Sequence, residues 1–447
     1  MKTMTTLILN AEVVNEDIKE VMDIFIRDGI IDRVDKNLQH LRADEVVDAS
    51  GLVLIPGMID DQVHFREPGL THKADISSES AAAVAGGVTS YMEMPNVIPP
   101  TINAQTLDEK FRLASKKSHA NYSFYLGASN DNLEDIKKVD PARVCGVKIF
   151  MGASTGNLLV DDPSTLEAIF RSCPILIATH CENSTRVREN YKRIEKKYSG
   201  EIPMSEHPNI RDVDVCFTSS SYAVELARKY NSDLHVLHLT TKKEMDLFES
   251  GPIKKKKITA EACVHHLWFS DNDYERQGTL IKCNPAIKSK ADREAIRDSL
   301  INDKIDVIAT DHAPHTLNEK NDSYDKAPAG LPLVQHALPS LLELHKKGVF
   351  TLELIVKKTS HNPAIRYGVV DRGFIRPGFW ADFVLIDMNY DSAGEQGKIL
   401  SKCAWSPFAG VKFSTKIKAT YVNGMRVFDG KSVRSDSLFA RELHFSR

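Results

Sequence analysis

Six polar residues stand in or just after otherwise apolar runs of this 447-residue chain: His64, Asn96, Lys148, His180, His238 and Asp311. Their types suggest metal chemistry. Neutral imidazole is the commonest ligand for zinc and similar borderline metals. A lysine inside the apolar stretch Gly146-Val147-Lys148-Ile149-Phe150-Met151 must be neutralised, because an unpaired ammonium is costly to bury. An aspartate closing an apolar run can ligate a cation or shuttle a proton. Each has a blander reading taken alone: a core histidine satisfied by a neighbour, a lysine in a salt bridge, an aspartate capping a helix. Their distribution over separate runs is what sets them apart.

Those runs are the elements that must bring the six together. Between about residues 55 and 365, eight short apolar runs alternate with helical stretches: MIDDQVHF, GVTSYMEMPN, NYSFYLGAS, VCGVKIFMG, PILIATHCEN, LHVLHLTT, KITAEACVHHL and IDVIATDHAPH. Repeated βα units predict a parallel sheet, and eight in one stretch predict a closed (β/α)8 barrel, with no G-x-G-x-x-G segment to favour an open doubly wound sheet. In such a barrel the C-terminal strand ends converge on one face, making neighbours of residues hundreds of positions apart. The chain ends are β-rich instead. Asp28-Gly29 and Asn423-Gly424 are two-residue hairpin signals, and both ends together are expected to build one small β-sandwich domain. The expected division is therefore 1–54 and 369–447 for the small domain and 55–368 for the barrel.

Hydrophobic residues at 42%, charged residues at 27% and a net charge of -3 place the chain among ordinary globular proteins, without the basic surface that nucleic acid or an anionic membrane demands. A small-molecule substrate is the expected partner. The first apolar run breaks at Asn10 and Glu12, so neither a signal core nor a membrane span is expected there and the cytoplasm is the expected compartment. Seven scattered cysteines without a C-x-x-C pair suit buried free thiols, Cys181 among them. The run Lys254 to Lys257 reads as a solvated face.

The segment Asp60-Asp61-Gln62-Val63-His64-Phe65-Arg66-Glu67-Pro68-Gly69 resembles the D-x-H-x-H-x-R-E-P-G motif of the dihydroorotases, within the amidohydrolase superfamily. Met94-Pro95-Asn96, Ala178-Thr179-His180, His235-Val236-Leu237-His238 and Asp311-His312-Ala313-Pro314-His315 are similar to further segments of that family. The resemblance implies a hydrolase that opens dihydroorotate, or closes N-carbamoyl-aspartate, in pyrimidine biosynthesis. It implies one or two Zn2+ ions per subunit, held by His64, His180, His238, Asp311 and Lys148, the lysine carrying a carbamate. Asp311 would also be the catalytic proton shuttle. Arg66 and Asn96 would bind the substrate carboxylate, with Asn284, His315 and Ala329 near the ring, and a homodimer is the family expectation. The polar stretch from Asn318 to Lys326 reads as a lid or a solvated loop.

One position departs from the pattern. Gln62 stands where the family has a metal-binding histidine, and its amide is the poorer zinc ligand, so the cation on that side is expected to bind more weakly. His72 is a speculative substitute, with a surface-loop reading preferred. His235 is expected to pack outward, and His265, His266 and Glu261 to be structural or to support the ligands from behind. Leu237 occupies the place of a cysteine that supplies a third metal site in some relatives, so none is expected. An allantoinase or hydantoinase-like enzyme is the alternative within the class, and a non-catalytic partner of a transcarbamoylase the alternative outside it.

Overall fold

The computed structural model describes residues 4–152, 158–391, 397–435 and 438–447. All eight apolar runs of the middle are strands: β6 (Met58–Val63), β7 (Val88–Glu93), β8 (Asn121–Gly127), β9 (Gly146–Phe150), β10 (Ile177–His180), β11 (Leu234–Val236), β12 (Ile258–Cys263) and β13 (Val307–Ala309). They pair in parallel in sequence order. An isolated parallel bridge from Val63 to His312 brings the last strand back to the first and closes the (β/α)8 barrel.

Every residue of β9 is buried, as expected of a parallel strand covered on both faces. Strand alternation turns Val147 and Ile149 into the main apolar core and sends Lys148 to the opposite face, toward the barrel axis.

The chain ends form one mostly antiparallel sheet, built from β1 (Thr5–Asn15), β2 (Ile18–Arg27), β3 (Ile30–Asp35), β4 (Glu45–Asp48), β5 (Val53–Pro56), β14 (Phe383–Asp387), β15 (Lys416–Val422) and β16 (Met425–Phe428). Its two halves join where β5 pairs with β14, Pro56 opposite Phe383 and Val53 opposite Ile386. Both hairpin signals hold. Asp28 and Gly29 have φ of 51° and 86°, Asn423 and Gly424 of 51° and 77°, the positive angles of type I′ turns. The two turns pack against each other: a Cβ on Gly29 would lie 2.5 Å from the Asn423 carbonyl oxygen, and one on Gly424 2.5 Å from the Gly29 Cα.

Three residues at the C-terminal strand ends leave the extended conformation. Arg66, His238 and Asp311 have φ of 68°, 40° and 50°, uncommon for residues with a Cβ and a mark of chain held in place by its surroundings.

Candidate active site

Gln62 and His64, two residues apart at the end of β6, both reach Asp311, which follows β13. Asp311 Oδ1 accepts from Gln62 Nε2 at 3.1 Å and lies 3.1 Å from His64 Nε2. The other nitrogen of His64 donates to Asn96 Oδ1 at 2.7 Å, so a cation that displaced the Nε2 proton would meet a ring already oriented. Burial alone would raise the Asp311 pKa, but His64, which without a bound cation carries a proton toward the carboxylate, outweighs it together with His265 and Lys148 and holds the carboxyl below its ordinary value. With its nitrogen committed to Asp311, Gln62 turns its Oε1 away, toward Cys263 Sγ at 3.8 Å.

Across the mouth, His180 Nδ1 and His238 Nε2 face each other at 3.0 Å. Two lone pairs cannot rest at that distance without a proton or a cation between them. His180 Nε2 donates to Glu182 Oε2 at 3.0 Å, and Glu182 is clamped in turn by Arg211. Burial raises the Glu182 pKa, yet Arg211 and His180 together bring it down to about 2. A carboxylate that fixes one ring nitrogen and frees the other is the usual support of a ligating histidine. Burial, with His180 and Lys148 nearby, pushes the His238 pKa well below 6.5, keeping the ring in the neutral form that cations bind. Its backbone N–H donates to Glu261 Oε1 at 2.9 Å.

Lys148 is 1% exposed. Among the described residues no carboxylate lies within ion-pair distance of its amine, which sits 4.7 Å from the Phe150 ring centroid. The salt-bridge explanation of this lysine is therefore absent, and burial pulls its pKa down to about 8.

At the rim, Arg66 Nε donates to the Pro314 carbonyl at 3.1 Å and its Nη2 lies 3.1 Å from His315 Nε2. His315 Nδ1 receives Lys73 Nζ at 3.0 Å. With cations on both sides of its buried ring, the His315 pKa is pushed far down. Ala329 offers its carbonyl 3.0 Å from His315 Nε2, and Asn284 Oδ1 is buried without a hydrogen-bond partner.

Several supports were not apparent from the sequence. His312 donates to Glu79 Oε2 at 2.8 Å and accepts from the Leu333 and Val334 amides at 2.9 and 3.1 Å. Glu79 also receives Ser401 Oγ at 2.6 Å, and Trp405 Nε1 donates to the His315 carbonyl at 2.8 Å, so the C-terminal segment braces the strand end that carries Asp311.

The stretch from Asn318 to Lys326 is more than a solvated loop. Lys320, buried within it, donates to the carbonyls of Lys282, Pro328 and Gly330 at 3.0, 2.9 and 3.0 Å, while Lys282 reaches the carbonyls of Ala327 and Tyr324. Lys320→Met leaves those carbonyls without their donor and is expected to lower unfolding stability by roughly 1.5–3 kcal/mol, read as a lowered denaturation midpoint; an unchanged midpoint would show that the anchor carries no weight.

One expectation is corrected. His235 does not pack outward: it is fully buried inside the barrel, its Nε2 3.2 Å from Asp61 Oδ2 and 3.7 Å from Glu261 Oε2. Strict alternation would place His235 and His238 on opposite faces, but β11 ends at Val236 and the positive φ of His238 breaks the pattern. Burial alone would lower the His235 pKa; Asp61 and Glu261 outweigh it and raise it to about 9. The surface reading of His72 holds, with its side chain 60% exposed and 3.7 Å from Glu319. Cys181 packs as expected, buried with its thiol 3.3 Å from Thr179 Oγ1. Among the described residues no helix is long and apolar enough to cross a membrane.

The geometry can therefore hold divalent cations among neutral imidazoles and an acid, beside a buried guanidinium. Comparison with known proteins agrees. Residues 53–427 match the model of the amidohydrolase family. The chain is 31% identical over 401 residues to a dihydroorotase of Methanosarcina acetivorans, covering 87% of this chain and 85% of that one. It is 28% identical to an allantoinase of Bacillus velezensis, covering 98% and 97%. Its fold superimposes on the L-hydantoinase (dihydropyrimidinase) of Arthrobacter aurescens with a TM-score of 0.92 at 25% identity, over 98% and 99% of the two chains. Members of this family generally depend on metal, and clusters of buried histidine, cysteine and carboxylate side chains are present in the barrel. With the barrel, the strand-end residues and these relatives in agreement, the chain belongs to the amidohydrolase family and is a hydrolase that acts on cyclic amides.

Proposed function

We propose that the cyclic amide is dihydroorotate, opened to or closed from N-carbamoyl-aspartate as in pyrimidine biosynthesis. The observation that carries this reading is Arg66. Its guanidinium is buried, 6% exposed, and among the described residues no carboxylate pairs with it. A buried cation without a counter-ion is expensive, and burial already pulls the Arg66 pKa down to about 10. Dihydroorotate carries an exocyclic carboxylate that fits a planar fork of N–H donors; hydantoin, dihydropyrimidines and allantoin do not.

The donor set suits zinc. His180 and His238, and His64 with Asp311, would hold the zinc, and Lys148, as a carbamate, would add an anionic oxygen donor. An unpaired, buried amine with a pKa near 8 has the neutral form that adds carbon dioxide, and the resulting anion removes the buried positive charge. Bound zinc would polarise the ring carbonyl and lower the pKa of a water toward about 7. Asn96 fixes the His64 ring, Arg66 and His315 seat the carboxylate, and Asn284 Oδ1 is a free acceptor for a ring N–H. Asp311 takes a proton as the amide is attacked and gives it to the ring nitrogen as that bond breaks. A cytoplasmic homodimer accompanies this reading, checked by light scattering of the purified protein.

The test compares kcat/KM of zinc-loaded enzyme for dihydroorotate, hydantoin and allantoin. Dihydroorotate is expected to lead by at least the 10-fold or more that one charge-assisted hydrogen bond represents; a preference for either ring without a carboxylate would reject the reading. Chelation is expected to abolish turnover, with recovery requiring zinc and bicarbonate together and a 13C-carbamate resonance appearing from labelled bicarbonate. Full recovery in carbon-dioxide-free buffer would show that Lys148 is not carboxylated.

A further inference from the structure

Position 62 poses a problem that the cage itself answers. A cation beside His64 and Asp311 lacks the imidazole that the family motif places at residue 62, and the Gln62 oxygen points away from Asp311 toward Cys263. Cys263 closes β12, is fully buried, and has its thiol 3.8 Å from Gln62 Oε1 and 3.4 Å from Glu261 Oε1.

A second side chain points there. His265 is fully buried, with a backbone partner in Thr310 and no side-chain hydrogen bond to either ring nitrogen. It acts electrostatically on both Asp311 and His238, and its backbone partner Thr310 stands one residue before Asp311. Donor atoms of Cys263, His265 and His266 lie within 4.8 Å of one another. His266 commits its Nε2 to the Pro285 carbonyl at 3.1 Å, which leaves its Nδ1 open beside Cys263 and His265.

We propose that the cation on the Gln62 side is held through the Cys263 thiolate, with His265 supplying the imidazole that position 62 lacks. The thiol loses its proton to solvent as the cation binds, the ordinary course of thiolate ligation. A sulfur ligand favours zinc and would offset the weakness of an amide at residue 62. The inference rests on the reading that this site holds divalent cations, and the test separates the two.

Apoprotein is reloaded with cobalt(II), whose spectrum reports its ligands. The expected result is visible d–d absorption from bound cobalt together with a near-ultraviolet thiolate-to-cobalt charge-transfer band. Cys263→Ser removes that band and at least about tenfold of the affinity for the second equivalent, since even groups behind the ligands are worth 10–100-fold. Cys181→Ser and Cys283→Ser keep it. His265→Gln weakens the second equivalent similarly while the thiolate band persists at saturating cobalt. Zinc-edge absorption fine structure of the unmutated holoenzyme gives an independent reading: a sulfur scatterer at about 2.3 Å. Cobalt bound with d–d bands but no thiolate band, a band that survives Cys263→Ser, or zinc with only nitrogen and oxygen neighbours would overturn the proposal and leave the metal reading intact. A protein that binds no cobalt or zinc would overturn both.

Discussion

Asp311→Asn is expected to lower kcat for ring opening by about 10²–10⁴-fold, the range that a positioned acid–base group contributes, while KM for dihydroorotate changes little. The substitution is nearly isosteric, and asparagine accepts the positive φ that residue 311 adopts, so the strand end keeps its shape. The amide cannot take up the proton that the carboxylate, now poised between His64 and Gln62, would carry to the leaving nitrogen. Steady-state kinetics with metal content counted distinguishes loss of the shuttle from loss of the ion. A variant that keeps its zinc and retains kcat within a factor of a few would remove Asp311 from the role.

Arg66 carries the second large effect. Arg66→Asn is expected to cost about 1.5–3 kcal/mol of transition-state binding for dihydroorotate, roughly 10- to 150-fold in kcat/KM, and far less for hydantoin, which has no carboxylate to lose. Asparagine is preferred to alanine here because residue 66 has a φ of 68°, which asparagine tolerates and other Cβ-bearing residues resist. Kinetics on the two rings side by side is the measurement. An equal loss on both would mean that Arg66 shapes the loop through Pro314 and His315 and does not read the substrate.

The barrel was legible because its strands are covered on both faces and read as continuous apolar runs, and because those runs end in residues too polar to be core. Gln62 and His64 share a side, as period-2 geometry on the first strand requires, and both reach Asp311 from the last strand. The hairpins were legible for an equally local reason, the positive φ that Asp28-Gly29 and Asn423-Gly424 supply.

What escaped depends on chain far away in sequence. His235 was misplaced because alternation was carried past the end of a three-residue strand. Glu79, Ser401 and Trp405 brace the Asp311 strand end from positions with no local signature. Lys320 looked like one more charge in a polar stretch, and only the fold shows three carbonyls around its amine. Glu182 could have been found: it is an acid just after His180 at the close of an apolar run, where a buried carboxylate needs a partner. Cys263 carried only the weak signal of a small residue closing a strand, and its meaning depends on what residue 62 is.

Anomalous diffraction from zinc-loaded crystals, recorded across the zinc edge, tests the central claim most directly. The account predicts a peak within coordination distance of His180 Nδ1 and His238 Nε2 and a second, of lower occupancy, beside His64 and Asp311. Crystals of zinc-replete protein with no peak between the two histidines would contradict it.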